Sequence, residues 1–158
     1  MYKVLIALPL TLMLLGCQVN QHNTGAIANC EETLMKYPQY RDKGPIKSYQ
    51  SLFTPDATFS VPKLNIALKG NDVIAARVAT ALINKKSIHM ITSMNVQRYN
   101  RNTLTNRSHF ILYLKDKHKH AAQTQIINGR YEDELVVDSN RCYIKQRHVI
   151  IDRIDTLN

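Results

Sequence analysis

The segment KSIHMITSMNV (residues 86–96) sets one histidine, His89, inside a run whose β-branched and alternating residues read as a strand. An imidazole titrates near neutral pH, so it can take or give a proton where a carboxylate fixes its tautomer. A single strand histidine, taken by itself, serves packing or the surface more often than chemistry. Two further histidines, His109 and His148, lie in other strand-like runs. His118 and His120 alternate in KDKHKH, a spacing that could catch a divalent cation weakly. That stretch reads as a basic hairpin tip without a cysteine or a third ligand, so a solvated loop is the better reading. The chain has no Gly-rich phosphate loop, no Ser-His-Asp arrangement and no zinc spacing. Neither a metal nor a cofactor is expected.

The cysteines divide into one and two. The N-terminus, MYKVLIALPLTLMLLGCQ, has one early lysine and then an apolar run from Val4 to Leu15. Such a run is too short to cross a bilayer and suits a secretion signal. It ends in Leu14-Leu15-Gly16-Cys17, the pattern of a bacterial lipobox, in which Cys17 is acylated and becomes the first mature residue. Gln18 rather than Asp follows, which by the usual sorting rule implies the outer membrane, with the domain on the periplasmic side. Residues 1–16 are then a signal peptide, and 17–26 a lipidated cysteine with a polar, flexible tether. Residues 27–158 form one domain, a length that suits a single core. Cys30 and Cys142 remain. Export to an oxidising compartment favours a disulfide between them, closing a loop of about 110 residues; two separate buried thiols are the alternative.

Charge narrows the partners. The chain carries 21 Lys and Arg against 12 Asp and Glu, a net +9, and only Lys3 falls in the signal segment. A basic exported surface meets anionic lipid headgroups rather than nucleic acid, or is simply solvated. The expected membrane contact is the lipid anchor.

The elements that must position these groups follow from periodicity. Ile27, Cys30, Leu34 and Tyr37 share one face of a helix from about Ala26, which Pro38 is expected to end or kink. Pro45 opens a short second helix with Tyr49, Leu52 and Phe53 on its apolar edge. TPDATFSV leads into a short strand. GNDVIAARVATALIN is the clearest helix, with Asn71 as N-cap and Ile74, Val78, Ala81 and Leu82 as its apolar stripe. Four long strands follow, Ser87–Tyr99, Thr105–Lys115, Gln123–Val137 and Cys142–Ile151, joined by short polar connections. Helices first and a meander afterwards predict an α+β fold with helices on one face of an antiparallel sheet.

This order of elements, together with certain residues, resembles the SnoaL-like family of the nuclear-transport-factor-2-like superfamily over about residues 30–152. Tyr37, Asp42 and LFTPDATF (Leu52–Phe59) match its opening in type and spacing. Gly70 before the central helix matches, as do His89 with Thr92 on the first long strand, and GRYEDELVV (Gly129–Val137) as the Gly-x-Tyr-x-Asp strand. Arg147 and Asp152 stand where the last strand carries an Arg and an acid. Cys142 takes a position where many members carry tryptophan, which supports its pairing with Cys30. The resemblance implies a cone, a strongly curved antiparallel sheet wrapped around a pocket whose mouth the N-terminal helices close. Relatives often dimerise, so a homodimer is expected.

The resemblance to the scytalone dehydratases also implies a pocket Asp at Asp42 and a pocket His at His89, an acid–base pair. Arg41, Val61 and Leu114 stand where those enzymes carry two tyrosines and a second histidine, so the likeness does not extend to dehydration of a phenol. Strand parity puts His89, Ile91, Ser93 and Asn95 on one face, and Ser108, Phe110, Leu112 and Leu114 on one face of the next strand. With Tyr37, Arg41 and Tyr131, the expected ligand-lining set is Ile91, Ser93, Phe110, Leu112 and Leu114. Such a lining suits a small, largely apolar molecule. A cofactor-independent lyase or isomerase using Asp42 and His89 is the first alternative, and a non-catalytic envelope scaffold the second.

Overall fold

The computed structural model describes residues 18–118 and 123–157, with side chains from Gly25 onward. The signal segment, Cys17 and His120 lie outside the described residues. No helix among the described residues is long and apolar enough to cross a membrane.

Helix α1 (Gln18–Lys43) starts at Gln18, so it covers the segment read from sequence as a tether. It buries Cys30, Leu34 and Tyr37 at the spacing that predicted it. Pro38 lies inside the helix and does not end it, although ending it is one of the two effects expected of it. Proline removes one helical donor, yet the flanking residues Tyr37 and Asp42 are both tied to the sheet, and tertiary contact outweighs the local cost. The end comes at Gly44, whose φ of +74° is open to glycine and whose N–H donates to Tyr40 O at 2.9 Å.

Helix α2 (Ile46–Gln50) buries Tyr49. Strand β1 (Phe53–Val61), a 3-10 turn (Pro62–Leu64) and strand β2 (Ile66–Lys69) lead to helix α3 (Asn71–Asn84). The N-cap of α3 is Gly70 rather than Asn71. Gly70 has φ +94°, and a Cβ there would meet Asp72 Oδ1 at 2.6 Å, so the entry turn demands glycine. The buried face of α3 is Ile74, Ala75 and Val78, while Ala81 and Leu82 are half-buried at its end.

Strands β3 (Lys85–Arg98), β4 (Thr103–Asp116), β5 (Thr124–Asp138) and β6 (Arg141–Leu157) form the meander, close to the runs read from sequence. The six-stranded sheet has the order β2-β1-β6-β5-β4-β3. One pairing departs from the antiparallel expectation: β1 runs parallel to β6. β1 enters the sheet beside the last strand of the chain, so no hairpin dictates its direction. The sheet is curved and unclosed, with β2 and β3 at its edges. Register shifts at Ile91/Ser93, Asn128/Gly129 and Glu134/Leu135 mark bulges, which bend strands and increase twist. Gly129 sits at one: a Cβ there would lie 2.2 Å from Ile150 O and 3.0 Å from Phe110 Cζ.

α1 lies across the concave side and is fastened at two points. Cys30 and Cys142 form a disulfide, with Cα atoms 4.9 Å apart, tying α1 to the start of β6. Thr33 Oγ1 adds a hydrogen bond to Cys142 O at 3.0 Å. The other fastening is Asp42, described below. The bridge spans 112 residues, so in the chain-entropy account it stabilises the fold by up to about 4–5 kcal/mol. Replacing both cysteines by serine should lower the unfolding free energy by roughly 2–5 kcal/mol in a urea titration, with the far-UV circular dichroism unchanged.

Candidate active site

The chemistry centres on the last turn of α1 and the first half of β3. Asp42 projects from α1 onto β3 and accepts three hydrogen bonds there. Ser87 Oγ donates to Asp42 Oδ1 at 2.7 Å. The backbone N–H of His89 donates to Oδ2 at 2.6 Å, and His89 Nδ1 lies 2.5 Å from Oδ1. The side chains of His89 and Asp42 are 4% and 9% exposed, so this contact is almost dry. A carboxylate only accepts, so Nδ1 carries the proton and Nε2 keeps its lone pair. Nε2 has no hydrogen-bond partner among the described residues.

Burial raises the Asp42 pKa, but the bonds from His89 and Ser87 and the nearby imidazole outweigh it, so it falls below the usual 3.8. Burial also lowers His89; Asp42 pulls the other way, Arg41 and Arg147 reinforce burial, and the result is below 6.5. At neutral pH the arrangement is therefore a carboxylate beside a neutral imidazole with a free Nε2, the form of a general base.

Beneath it lies an aromatic cluster. The Tyr37 ring meets His89 edge-on at 6.2 Å and Tyr131 at 5.5 Å, and Tyr131 stacks on Phe110 at 4.4 Å. The Arg147 guanidinium lies between two rings, 4.0 Å from the Tyr37 centroid and 4.2 Å from that of Tyr131. Its Nε and Nη2 donate to the two oxygens of Asp133, each at 2.8 Å. Asn106 Nδ2 completes Asp133 at 2.8 Å. Burial opposes the Arg147 charge, yet Asp133 more than offsets it, and the pKa rises. Desolvation and Tyr37 push the Tyr131 phenol well above 10, so it stays protonated.

The residues expected to line a ligand divide. Tyr37, Phe110 and Tyr131 are 2–3% exposed and form a packed wall under His89. Ile91, Leu112 and Leu114 are half-buried on the same interior face, and Arg41 is half-buried on α1. Ser93 is not part of this face. The bulge after Ile91 shifts the parity, so Ser93 is exposed and its hydroxyl meets His109 Nδ1 at 2.9 Å on the other side. Asn95 turns outward with it, and Met94 and Val96 turn in. That outer side carries a polar, open concavity of about 660 Å³ lined by residues such as Asn95, Arg107, Glu132 and His148.

Sequence reasoning missed Ser87 and the Asp133–Asn106 partners of Arg147. Ser87 lies two residues before His89, so strand alternation already put it on the same face. The Asp133–Arg147 pairing needs the β5–β6 register, which places these two opposite each other.

The family model for the SnoaL-like domain matches residues 24–148. The chain belongs to the SnoaL-like family, whose fold is that of nuclear transport factor 2. No match was found among curated protein sequences. Among solved structures, a hexachlorocyclohexane dehydrochlorinase from Novosphingobium barchaimii superposes with a TM-score of 0.78 at 13% identity, covering 87% of this chain and 94% of that one. A protein assigned as a scytalone dehydratase from Novosphingobium aromaticivorans gives 0.75 at 16%, covering 88% and 92%. The β subunit assigned to an aromatic-ring-hydroxylating dioxygenase of that organism gives 0.68 at 16%, covering 87% and 94%. At these identities the likeness is one of fold.

Two outcomes follow from the site. Asp42 and His89 both bind protons less readily folded than unfolded, so stability is full above pH 6.5. It should fall as pH drops from 6.5 through the lowered His89 pKa, and again below 3.8; in urea midpoints against pH, His89→Gln should remove the first step. Asp133→Ala leaves Arg147 buried without its counter-ion and should cost roughly 3–5 kcal/mol, measured by the same unfolding titration.

Proposed function

We propose that this domain binds a small, largely apolar molecule on the interior face and that His89 takes a proton from it. The observation that carries the reading is the buried Asp42–His89 contact at 2.5 Å, which leaves Nε2 unprotonated and free among the described residues. Tyr37 holds the ring from below, and Ile91, Leu112 and Leu114 supply the apolar surface. Two structural neighbours carry names, dehydrochlorinase and dehydratase, that denote elimination, a reaction in which a base removes a proton as a leaving group departs. The dyad supports a cofactor-independent lyase or isomerase within this reading, and the neighbours' names are consistent with it.

The protein is also proposed to be a lipoprotein of the outer membrane, anchored through Cys17 with its domain in the periplasm. The lipobox-like Leu14-Leu15-Gly16-Cys17 supports this, and so does the Cys30–Cys142 disulfide, which persists in an oxidising compartment.

Native mass spectrometry of the full chain purified from its host should reveal a retained small molecule. Incubated in D2O with the protein, that molecule should exchange a C–H for C–D, or form a double bond as a leaving group departs. His89→Gln should slow the step by about 10²–10⁴-fold, and the rate should fall on an acid limb below pH 6.5. Retention with no exchange would leave binding without catalysis, and absence of any retained or reacting species would sink the proposal.

A further inference from the structure

Arg41 stands four residues after Tyr37 on α1, one helical turn along the same face. Tyr37 faces the interior and touches His89 and Tyr131, so Arg41 lies one turn further along that helix face, where it is half-buried. The guanidinium makes no hydrogen bond or ion pair among the described residues. Four other arginines pair with carboxylates, Arg107 and Arg130 with Glu132, Arg147 with Asp133 and Arg153 with Asp155, while Arg77 and Arg101, which lack such a partner among the described residues, are exposed to solvent. The adjacent acid, Asp42, cannot serve Arg41 as a further partner without cost, because both its oxygens are taken by Ser87 and His89. The Arg41 charge acts inward, on His89, Tyr49 and Tyr131. Its nitrogens are not sealed from solvent, so this half-buried guanidinium, beside a base and an apolar wall, is open to an external acceptor.

We propose that Arg41 is the recognition group of this site, and that the molecule bound is apolar with a terminal carboxylate. The inference rests on the ligand-binding reading above. A carboxylate fits because it is a monoanion that takes the planar fork of one guanidinium in two parallel hydrogen bonds. A phosphate dianion would call for more positive charge than one free arginine. The apolar part of the ligand lies along Ile91, Leu112 and Leu114, which are half-buried on the facing strands.

Titration calorimetry on the full chain, in about 150 mM salt at pH 7 to screen the basic surface, compares phenylacetate and hydrocinnamate with their primary amides. The carboxylates should bind about 10–100-fold more tightly than the amides, the range for a charge-assisted hydrogen-bonded pair. Arg41→Met should abolish that preference, Arg41→Lys should retain part of it, and Lys43→Met, at an exposed site two residues on, should leave it intact. Circular dichroism confirms that each variant is folded; should Arg41→Met not fold, the Arg41→Lys series decides. Equal binding of carboxylate and amide, or a preference that survives Arg41→Met, would overturn the role of Arg41 while leaving the binding site standing. Absence of binding by either class would overturn both.

Discussion

The carboxylate of Asp42 is the point on which this architecture turns. β3 is an edge strand, and the His89 N–H that it presents outward would be an unpaired donor if Asp42 did not accept from it. The same carboxylate takes Ser87 and the imidazole, so one acid closes the helix against the strand and sets the tautomer of His89. Because Asp42 lies one residue before the last helical position, these bonds hold the final turn of α1 in place beyond Pro38. Midway along α1, at Cys30, the disulfide does the corresponding work. A helix fastened at its middle and at its last turn holds the segment between, with Tyr37 and Arg41, in constant relation to His89.

The second constraint is the charge placed inside the cluster of rings. A buried guanidinium is unfavourable alone. Arg147 is retained through two hydrogen bonds to Asp133 and through two tyrosine faces whose negative quadrupoles receive it. This fixes Tyr37 and Tyr131, and through Tyr37 it fixes the ring of His89. Arg147 therefore acts as a positioning residue for the site although it touches neither Asp42 nor the free nitrogen of His89. Its positive charge, like that of Arg41, helps hold His89 neutral. The fold itself hosts many chemistries, so function rests on this local constellation rather than on the sheet that carries it.

What could be read in the chain beforehand was whatever depends on near neighbours. Alternation predicted the four long strands to within two residues, except that β6 runs six residues past the expected end, and the three- and four-residue steps of Cys30, Leu34 and Tyr37 predicted the buried face of α1. The pairing of Cys30 with Cys142 was favoured over two separate thiols by counting cysteines once the N-terminal segment was read as an export signal. Asp42 and His89 were named through family resemblance, because nothing in their separation of 47 residues says that they meet.

Where local rules failed, a distant contact had overridden them. Pro38 did not end its helix, because the residues on either side of it are held by the sheet. Ser93 left the interior because a bulge consumes one residue and reverses every side chain beyond it. β1 runs parallel to β6, although the intervening chain gives no local signal for it. The sequence by itself determined which residues form helix and strand, and which face of each is apolar, since period and turn chemistry are local properties. Only the tertiary structure decided that a carboxylate would be dry, that a histidine would be neutral and that Arg41 would be left without a partner. Those are properties of burial and of groups brought together from far apart in the chain.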